Sequence, residues 1–567
     1  MCRIRRRRPP FRWSLRETRS RTARRNGVVL SRRFVGLLLV TGLVPMIDAA
    51  VLVALGFRAA QGTPPQLTAL WPYDTYHDLR WLYVYHRSWW EFVLWLTYVL
   101  VARGLFTTGL VLLAWPAGVP RPSPGWLLRR NVVLGVLVGG FVAPWAAISV
   151  AASVVALSWV LLASLLPMFL LAPFLQRVAV VEHWWRGLPS ISLVGWSLLN
   201  FVVLTVAGAL CWVVPGWWTV PVAGAAGALN GLLWNRTVRA ALLPSRLRWA
   251  RVPVTPLAAL LAVAVPLAIP PVTELVPGNE QWIRAAVLER PLPAEVTHAV
   301  IVLTGYGSAY GGEQPSDPRV QRFSYRGLDP DGRPLSYRPA DTTRSMADSV
   351  ALLARQVELL HRRTGRQVAL IGESEGALVA RTYLARRRDP AVDILVMFSP
   401  LIYAGRAYYP PPHHDEGWGV VTGWQLRVIF GLADVGGGPD EPFIRSLLDD
   451  APFYRNQLMC PVPGVRIVAF LPTATATEAP PGEYSRIPVY QIPGVHGGLL
   501  DRRLLQDRLI DFLLGKPIAH TRAEYPLMQS FAAAWQAPPL PIAANPAWAG
   551  NRQPDPAFTG KVCLPAR

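Results

Sequence analysis

Seven stretches of about 18 or more residues are almost free of charged side chains, and all lie in the first half of this 567-residue chain. A helix needs about 20 mainly apolar residues to cross a bilayer, so each stretch is a candidate membrane span. Composition agrees, because 52% of the residues are hydrophobic, only 16% are charged and the mean hydropathy is +0.27. We therefore predict an α-helical transmembrane bundle within residues 34–275, with about seven spans at residues 34–57, 92–114, 132–150, 153–175, 191–214, 217–234 and 256–273.

The formal charge of +22 is almost entirely in that half: residues 1–275 carry a net +20 and residues 276–567 only +2. Basicity confined to a membrane region argues against a nucleic-acid partner. Arginines also alternate between the loops. The tail 1–33 and the segments 115–131, 176–190 and 235–255 hold 23 in total, and the intervening segments 58–88, 151–152 and 215–216 hold 3.

Positive loops stay on the cytoplasmic side of a membrane. We therefore predict a multi-pass plasma-membrane protein with a basic cytoplasmic tail at residues 1–33 and with everything after residue 273 outside the cytoplasm. The alternative for the arginine-rich tail is a signal peptide or a nucleic-acid arm. The first apolar run has 24 residues and no clear small-x-small cleavage site, which favours a span.

Two charged residues fall within the predicted spans, Asp48 in the first and Arg103 in the second. At 1.5 Å per residue they could sit at similar depth, which predicts an ion pair that locks two helices together; the alternative is a transport path. The loop 58–88 between them is rich in tryptophan and tyrosine. Its composition predicts an aromatic belt at the membrane interface, or else part of a lipid entrance.

After a linker at residues 276–296, short β-rich blocks alternate with amphipathic stretches, which is typical of βαβ units. A buried strand at 297–304 enters the turn Gly305-Tyr306-Gly307. A helix then runs from Ser345 to His361, and a strand at 367–371 leads into Gly372-Glu373-Ser374-Glu375-Gly376 and a helix at 377–387. The pattern G-x-S-x-G alone is weak, but a strand before it and a helix after it predict a tight elbow that exposes Ser374.

On these residues the chain resembles the α/β-hydrolase superfamily, specifically its esterase-like and lipase-like serine hydrolases. The resemblance covers residues 297–515 and none of the membrane bundle. It implies a mostly parallel sheet flanked by helices, with a cap insertion at about 403–458. Residues 516–567 would then form a Pro- and Trp-rich C-terminal tail.

The resemblance also implies roles for particular residues. Ser374 would be the nucleophile, and His496, on a loop after the last strand, would be its base. Backbone N–H groups of Tyr306 and Glu375 would form the oxyanion hole, and Gly372 and Gly376 would permit the elbow.

The third member should be a carboxylate after the strand 465–471, where the sequence departs from the common pattern because residues 472–491 contain no Asp. We prefer Glu478 and keep open both Glu483 and an acid elsewhere in the chain. No chemistry is assigned to the side chains of Glu373 and Glu375, which would solvate the rim of the elbow. We expect no cofactor and no metal.

Only two cysteines, Cys460 and Cys563, lie in the predicted outer domain, so we expect them to form a disulfide that pins the tail against it. Together these features predict a membrane-anchored serine hydrolase that cleaves an ester of a lipid or an acylated envelope molecule. An acyltransferase that uses the same serine is one alternative. The other is a non-catalytic transporter or scaffold whose hydrolase-like domain only binds.

Overall fold

The computed structural model describes most of the chain after residue 30. The described residues are 31–155, 157–178, 180–182, 184–242, 252–262, 291–387, 389–401, 408–433, 436–472, 486–492, 496, 498–500, 502–516, 530–531, 534–538, 540 and 563. They form a helical region up to residue 262 and a sheet domain from residue 291. The predicted linker 276–296 therefore lies mostly outside them.

The helical region includes seven α-helices and three short 3-10 helices with described bounds, and residues 254–262 are also helical. The α-helices are α1 (Arg32–Ala54), α2 (Tyr73–Val84), α3 (Trp89–Ala114), α4 (Pro124–Val155), α5 (Leu157–Val178), α6 (Ile191–Val213) and α7 (Thr219–Leu242). The 3-10 helices are Arg58–Ala60, Pro64–Thr68 and Gly216–Trp218. Ser31, Ser88 and Ser190 begin α1, α3 and α6 by accepting a backbone N–H with the side-chain oxygen, the usual N-cap arrangement.

Four helices in the described part of the chain are long and apolar enough to span a membrane: α1, α3, α4 over residues 124–151, and α6. The predicted number of seven spans is therefore not supported. Helix α7 covers most of the predicted span 217–234 but is not one of these four helices. It is rich in small residues, and Asn230 and Arg236 lower its hydropathy. In α5, residues 165–178 form an apolar helix that is shorter than the four candidate spans. The last predicted span, 256–273, lies outside the described residues after residue 262.

Small residues explain why α7 lies inside the helical region. A Cβ at Gly227 would lie 2.0 Å from the carbonyl oxygen of Thr41 in α1, and one at Gly224 would lie 2.4 Å from Met46. The two backbones therefore approach closely only because these positions are glycine, as in small-residue contacts between membrane helices.

The α1–α3 connection, residues 55–88, is not the predicted interfacial belt. Trp71, Tyr73 and Tyr76 are each at most 2% exposed, because the segment folds back between the helices as α2 and two short 3-10 turns. The predicted pair of Asp48 with Arg103 is also wrong. Arg103 instead donates to Asp78 of α2 at 2.7 Å and lies 3.8 Å from Asp74. Sequence spacing along two helices could not show that the connection supplies nearer carboxylates.

The sheet domain is built on six parallel strands in the order β2-β1-β3-β4-β5-β6. The strands are β1 (Ala299–Leu303), β2 (Val320–Arg322), β3 (Val368–Glu373), β4 (Val392–Phe398), β5 (Arg466–Pro472) and β6 (Val489–Ile492). Strands β1, β3, β4 and β5 are buried along most of their length, as expected for a parallel sheet covered on both faces. This confirms the predicted parallel sheet flanked by helices.

The helices of the sheet domain are α8 (Met346–Thr364), α9 (Glu375–Arg386), α10 (Val420–Ala433), α11 (Pro442–Asp449), α12 (Ala451–Asn456) and α13 (Arg503–Leu513), with a 3-10 helix at Pro339–Thr343. Helix α8 begins at Ser345, whose side chain accepts the N–H of Asp348, and ends at Gly365 in the left-handed conformation, as its sequence predicts. Helices α10 to α12 form the β4–β5 insertion, residues 408–456.

The β4–β5 insertion is joined to the helical region by backbone hydrogen bonds. The N–H groups of Gly417 and Gly419 donate to the carbonyls of Arg87 and His86 at 2.6 and 2.9 Å. The N–H of Val421 donates to Nε2 of His86 at 3.0 Å. The sheet domain is thus held directly against the end of the helical region where α3 begins.

The C-terminal tail contacts both parts of the molecule. The predicted disulfide between Cys460 and Cys563 is confirmed, with 5.4 Å between the Cα atoms. Trp535 inserts into the helical region, where it stacks on Phe201 at 5.0 Å and its indole N–H donates to Thr205. The carbonyl of Trp535 accepts from the buried guanidinium of Arg80 at 2.6 Å.

Candidate active site

Ser374 lies in the tight turn between β3 and α9, at the carboxyl edge of the sheet. Its backbone has φ 53° and ψ −115°, a conformation that side-chain-bearing residues rarely adopt. Such strain costs on the order of 1–3 kcal/mol and persists only where the surrounding structure imposes it. Here the strained conformation is imposed by the immediate reversal from strand to helix, because β3 ends at Glu373 and α9 begins at Glu375.

Three glycines make the reversal possible. A Cβ at Gly372 would lie 2.5 Å from the backbone N of Ala377, and one at Gly376 would lie 2.4 Å from the carbonyl oxygen of Leu303 in β1. A Cβ at Gly305 would lie 2.9 Å from the Cβ of Ser374. The elbow is therefore packed so closely against β1 and its following turn that any larger residue would have to displace backbone.

His496 is the residue that the structure brings to Ser374. Its Nε2 lies 2.8 Å from Oγ of Ser374, although 122 positions separate the two residues in the chain. They meet because β3 and β6 are parallel strands of one sheet, so the segments that follow them emerge at the same edge. A neutral imidazole at this distance accepts the hydroxyl proton of the serine.

The other ring nitrogen of His496, Nδ1, is buried and has no hydrogen-bond partner within the described part of the chain. Burial lowers the pKa of His496 to about 4. The ring is therefore neutral around pH 7, which is the form that a base requires. Both predicted acids, Glu478 and Glu483, lie outside the described residues, so their role stays a prediction.

The turn Gly305-Tyr306-Gly307, the predicted source of one oxyanion donor, follows β1 and lies beside the candidate nucleophile. The ideal Cβ position at Gly305 is 3.4 Å from Oγ of Ser374. The second predicted donor, the N–H of Glu375, belongs to the first turn of α9, where N–H groups have no acceptor within the helix. Both backbone segments thus border Ser374, although their donor role remains a prediction.

We predicted that the side chains of Glu373 and Glu375 solvate the rim of the elbow, but the structure places them differently. Oε1 of Glu373 accepts the backbone N–H of Leu499 at 2.9 Å, which ties the loop carrying His496 to the end of β3. Glu375 is completely buried, and burial raises the pKa of its carboxyl well above the usual range. The sequence offers no signal for either role, because both depend on which loop passes over the elbow.

The side chain of Tyr306 is held by the β4–β5 insertion. Its hydroxyl donates to Oε2 of Glu441 at 2.6 Å, and Oε1 of Glu441 accepts the N–H of Gly437 at 2.7 Å. The ring of Tyr306 also stacks on Phe443 at 5.7 Å. Sequence analysis did not single out Glu441, yet it joins the insertion to the turn beside Ser374.

His413 and His414 lie in the insertion and are exposed. Over the residues that the structure describes, no group of three or more His, Cys, Asp or Glu side chains could hold a metal ion. Comparisons with protein-family models, with curated proteins and with solved structures gave no significant match. The function is therefore inferred from the geometry of the site.

Proposed function

We propose that this protein is a membrane-anchored serine hydrolase of the α/β-hydrolase type, which cleaves an ester through an acyl-enzyme on Ser374. The observation that carries the proposal is the 2.8 Å contact between Oγ of Ser374 and Nε2 of the partly buried His496 at a strained strand-to-helix elbow. A nucleophile in hydrogen-bond contact with a neutral base is the arrangement that acyl transfer requires.

In the first step Oγ of Ser374 attacks the ester carbonyl carbon while its proton passes to Nε2 of His496. The carbonyl oxygen becomes an oxyanion, which the N–H groups of Tyr306 and Glu375 would stabilise. The intermediate collapses when the carbon–oxygen bond to the leaving alcohol breaks. His496 returns the proton to that alcohol, and Ser374 keeps the acyl group.

In the second step a water molecule takes the place of the alcohol. His496 removes a proton from the water as its oxygen attacks the acyl carbon, and it gives this proton to Oγ of Ser374 when the bond between Oγ and the acyl carbon breaks. The products are the free acid and the regenerated serine. Glu478 is our candidate to accept from Nδ1 of His496 and so stabilise the imidazolium that each step forms.

The position of the β4–β5 insertion favours a lipid or an acylated envelope molecule as substrate. Helix α10 packs against α3 and α4, and between them lies a cavity of about 500 Å³. Its lining is almost entirely apolar and includes Trp424 and Val428 of α10. On the same helix, Phe430 lies beside Gly437, close to the hydroxyl of Tyr306. An apolar chain could therefore lie next to the site.

The disulfide supports an extracytoplasmic location for the sheet domain. Disulfides persist in oxidising compartments and are rare in the cytosol. The bond between Cys460 and Cys563 favours an extracytoplasmic sheet domain whatever the number of spans.

A fluorophosphonate probe applied to intact cells that express the full chain tests nucleophile and sidedness together. We expect an impermeant probe to label the wild-type protein and Ser336→Ala, which alters an exposed serine, but not Ser374→Ala. Labelling of Ser374→Ala would remove the assignment of the nucleophile. Labelling only after lysis would place the domain in the cytoplasm.

Product analysis with long-chain esters then separates hydrolysis from acyl transfer. A hydrolase releases free acid whether or not a sugar or lipid alcohol is present. If the acid appears only as a new ester of the added alcohol, the protein is an acyltransferase that uses the same serine.

A further inference from the structure

A second cavity, of about 790 Å³, lies on the other side of α3 and is not part of the candidate active site. It is bordered by α1, α2, the start of α3 and the beginning of the β4–β5 insertion. Its lining combines acidic, histidine and aromatic side chains, among them Asp48, His77, Trp81, Tyr85, Trp95 and Trp418.

Among the described residues Asp48 has no cationic partner, because Arg103 pairs with Asp78 and Asp74 instead. Its Oδ2 is buried and has no hydrogen-bond partner among the residues that the structure describes. Arg87 stacks on Trp418 at 4.4 Å. A carboxylate within a membrane helix is costly unless it is paired, so binding of a cation beside Asp48 would be favourable.

His77 supplies a second unused acceptor. It is 4% exposed, and its Nδ1 lies 3.0 Å from Oδ1 of Asp78. Because Asp78 is an ionised acceptor paired with Arg103, Nδ1 carries the proton and Nε2 keeps its lone pair. That Nε2 is buried and has no partner among the described residues. Burial lowers the pKa of His77, which keeps the ring neutral.

The remaining lining matches a cation on an apolar chain. Trp81, Tyr85 and Trp95 line the cavity, and aromatic rings attract cations within about 6 Å of the ring centre. The indole N–H of Trp81 is buried and unpartnered in the described part of the chain, so it can donate to an oxygen next to that cation. Val51, Leu55 and Trp95 are about half exposed or more, on helices that can span a membrane, so the cavity opens toward lipid.

We propose that this cavity binds the primary ammonium group of an amphiphile, with Asp48 and Nε2 of His77 accepting its N–H donors and the apolar chain leaving between α1 and α3. A primary ammonium has three donors and one positive charge, which matches two acceptors and an uncompensated carboxylate. A quaternary ammonium has the charge but no N–H, and an alcohol has one O–H but no charge. Comparing these three head groups therefore separates the contribution of positive charge from that of N–H donors.

The test uses the full-length protein in nanodiscs of phosphatidylcholine and phosphatidylglycerol, which contain no primary amine. Octylamine is titrated by calorimetry, and empty nanodiscs give the background of partitioning. We expect saturable binding to one site, with octyltrimethylammonium and octanol at least about tenfold weaker. Ethanolamine tests the head group without a chain, and it should bind more weakly than octylamine because it leaves the apolar mouth unfilled.

Asp48→Asn keeps the shape of the side chain and removes its charge, so it should weaken octylamine binding at least about tenfold. Asp415→Asn, which neutralises an exposed carboxylate of the insertion, is the matched control and should leave binding unchanged. Labelling of Ser374 should be the same in both variants, which reports that the sheet domain is folded. Phosphatidylethanolamine is then added to the nanodiscs. It should compete with octylamine if the natural ligand is a lipid head group, and it should not compete if the ligand is a free amphiphilic amine.

Three results would overturn the proposal: no saturable heat above that of empty nanodiscs, equal binding of octylamine and octyltrimethylammonium, or unchanged affinity in Asp48→Asn. If Asp48→Asn does not fold, the ligand series on the wild-type protein still decides, because it needs no variant.

Discussion

The candidate active site and the α1–α3 connection both keep polar groups away from water, but they do so by different means. At the site, Ser374 and His496 contact each other at an edge of the sheet, and the cost is local backbone strain. In the connection, Asp78 and Arg103 form a buried pair that joins α2 to α3. We propose that the first arrangement serves reaction, whereas the second joins two helices.

This difference has a measurable consequence. Changes at the site should remove activity and leave the free energy of unfolding almost unaltered, because few contacts depend on the reacting atoms. Changes in the connection should lower stability and leave the reactivity of the remaining folded protein intact. Each prediction below can break or sharpen that contrast, and they are ordered from the largest expected effect to the smallest.

His496→Gln should have the largest effect. It removes the proposed base of Ser374, so the rate of ester cleavage should fall on the order of 10⁴-fold or more. Thermal unfolding should be nearly unchanged, since glutamine fills similar space. His414→Gln, at an exposed position of the insertion, is the matched control. Activity close to the wild-type rate in His496→Gln would contradict the proposed mechanism.

Glu478→Gln tests the predicted acid and should lower the rate about 10²- to 10⁴-fold, because His496 would lose the group that orients it and stabilises its charge. The pH profile of the activity gives a second test, because the direction of its shift can be predicted. Activity requires neutral His496, so it rises with pH through the pKa of this residue. Burial lowers that pKa to about 4, whereas a carboxylate at Nδ1 raises it.

The midpoint of the profile should therefore lie lower in Glu478→Gln than in the wild-type protein, closer to pH 4. Glu483→Gln is the control. If it produces the lower midpoint and Glu478→Gln does not, Glu483 is the acid.

Arg103→Met breaks the buried pair in the connection and leaves Asp78 as an uncompensated charge. We expect a loss of about 3–5 kcal/mol in stability, measured by thermal or denaturant unfolding in detergent. The fluorophosphonate labelling rate per folded molecule should stay unchanged. Arg121→Met, at an exposed loop position, should leave stability unaltered. Slower labelling of a stable Arg103→Met protein would break the contrast between the two regions.

Tyr306→Phe should have the smallest effect of the four. It removes the hydroxyl that donates to Glu441 at 2.6 Å but keeps the backbone N–H and the stacking on Phe443. Loss of one hydrogen bond to a charged group costs about 1.5–3 kcal/mol, which here loosens the insertion over the site. We expect a decrease of about tenfold in kcat/KM for a long-chain ester and a smaller one for a short-chain ester. Equal decreases would show that the insertion does not position the chain.

Local signals in the sequence predicted a large part of this structure. Long apolar runs indicated membrane-capable helices, and alternating blocks indicated a parallel sheet. The spacing of glycines around Ser374 indicated the elbow, because a reversal between strand and helix is decided by steric contacts within a few residues. The pairing of Cys460 with Cys563 could be predicted because no other cysteine lies in the predicted outer domain.

Tertiary structure alone decided which distant groups meet. The burial of most of residues 55–88, the partner of Arg103, the lack of a partner for Asp48 among the described residues and the contact of Glu441 with Tyr306 each depend on how separate elements pack. Hydrophobic pattern reports how apolar a segment is, but not whether lipid or protein covers it. For that reason an aromatic segment was predicted at the membrane surface and lies inside the molecule, where it borders the second cavity.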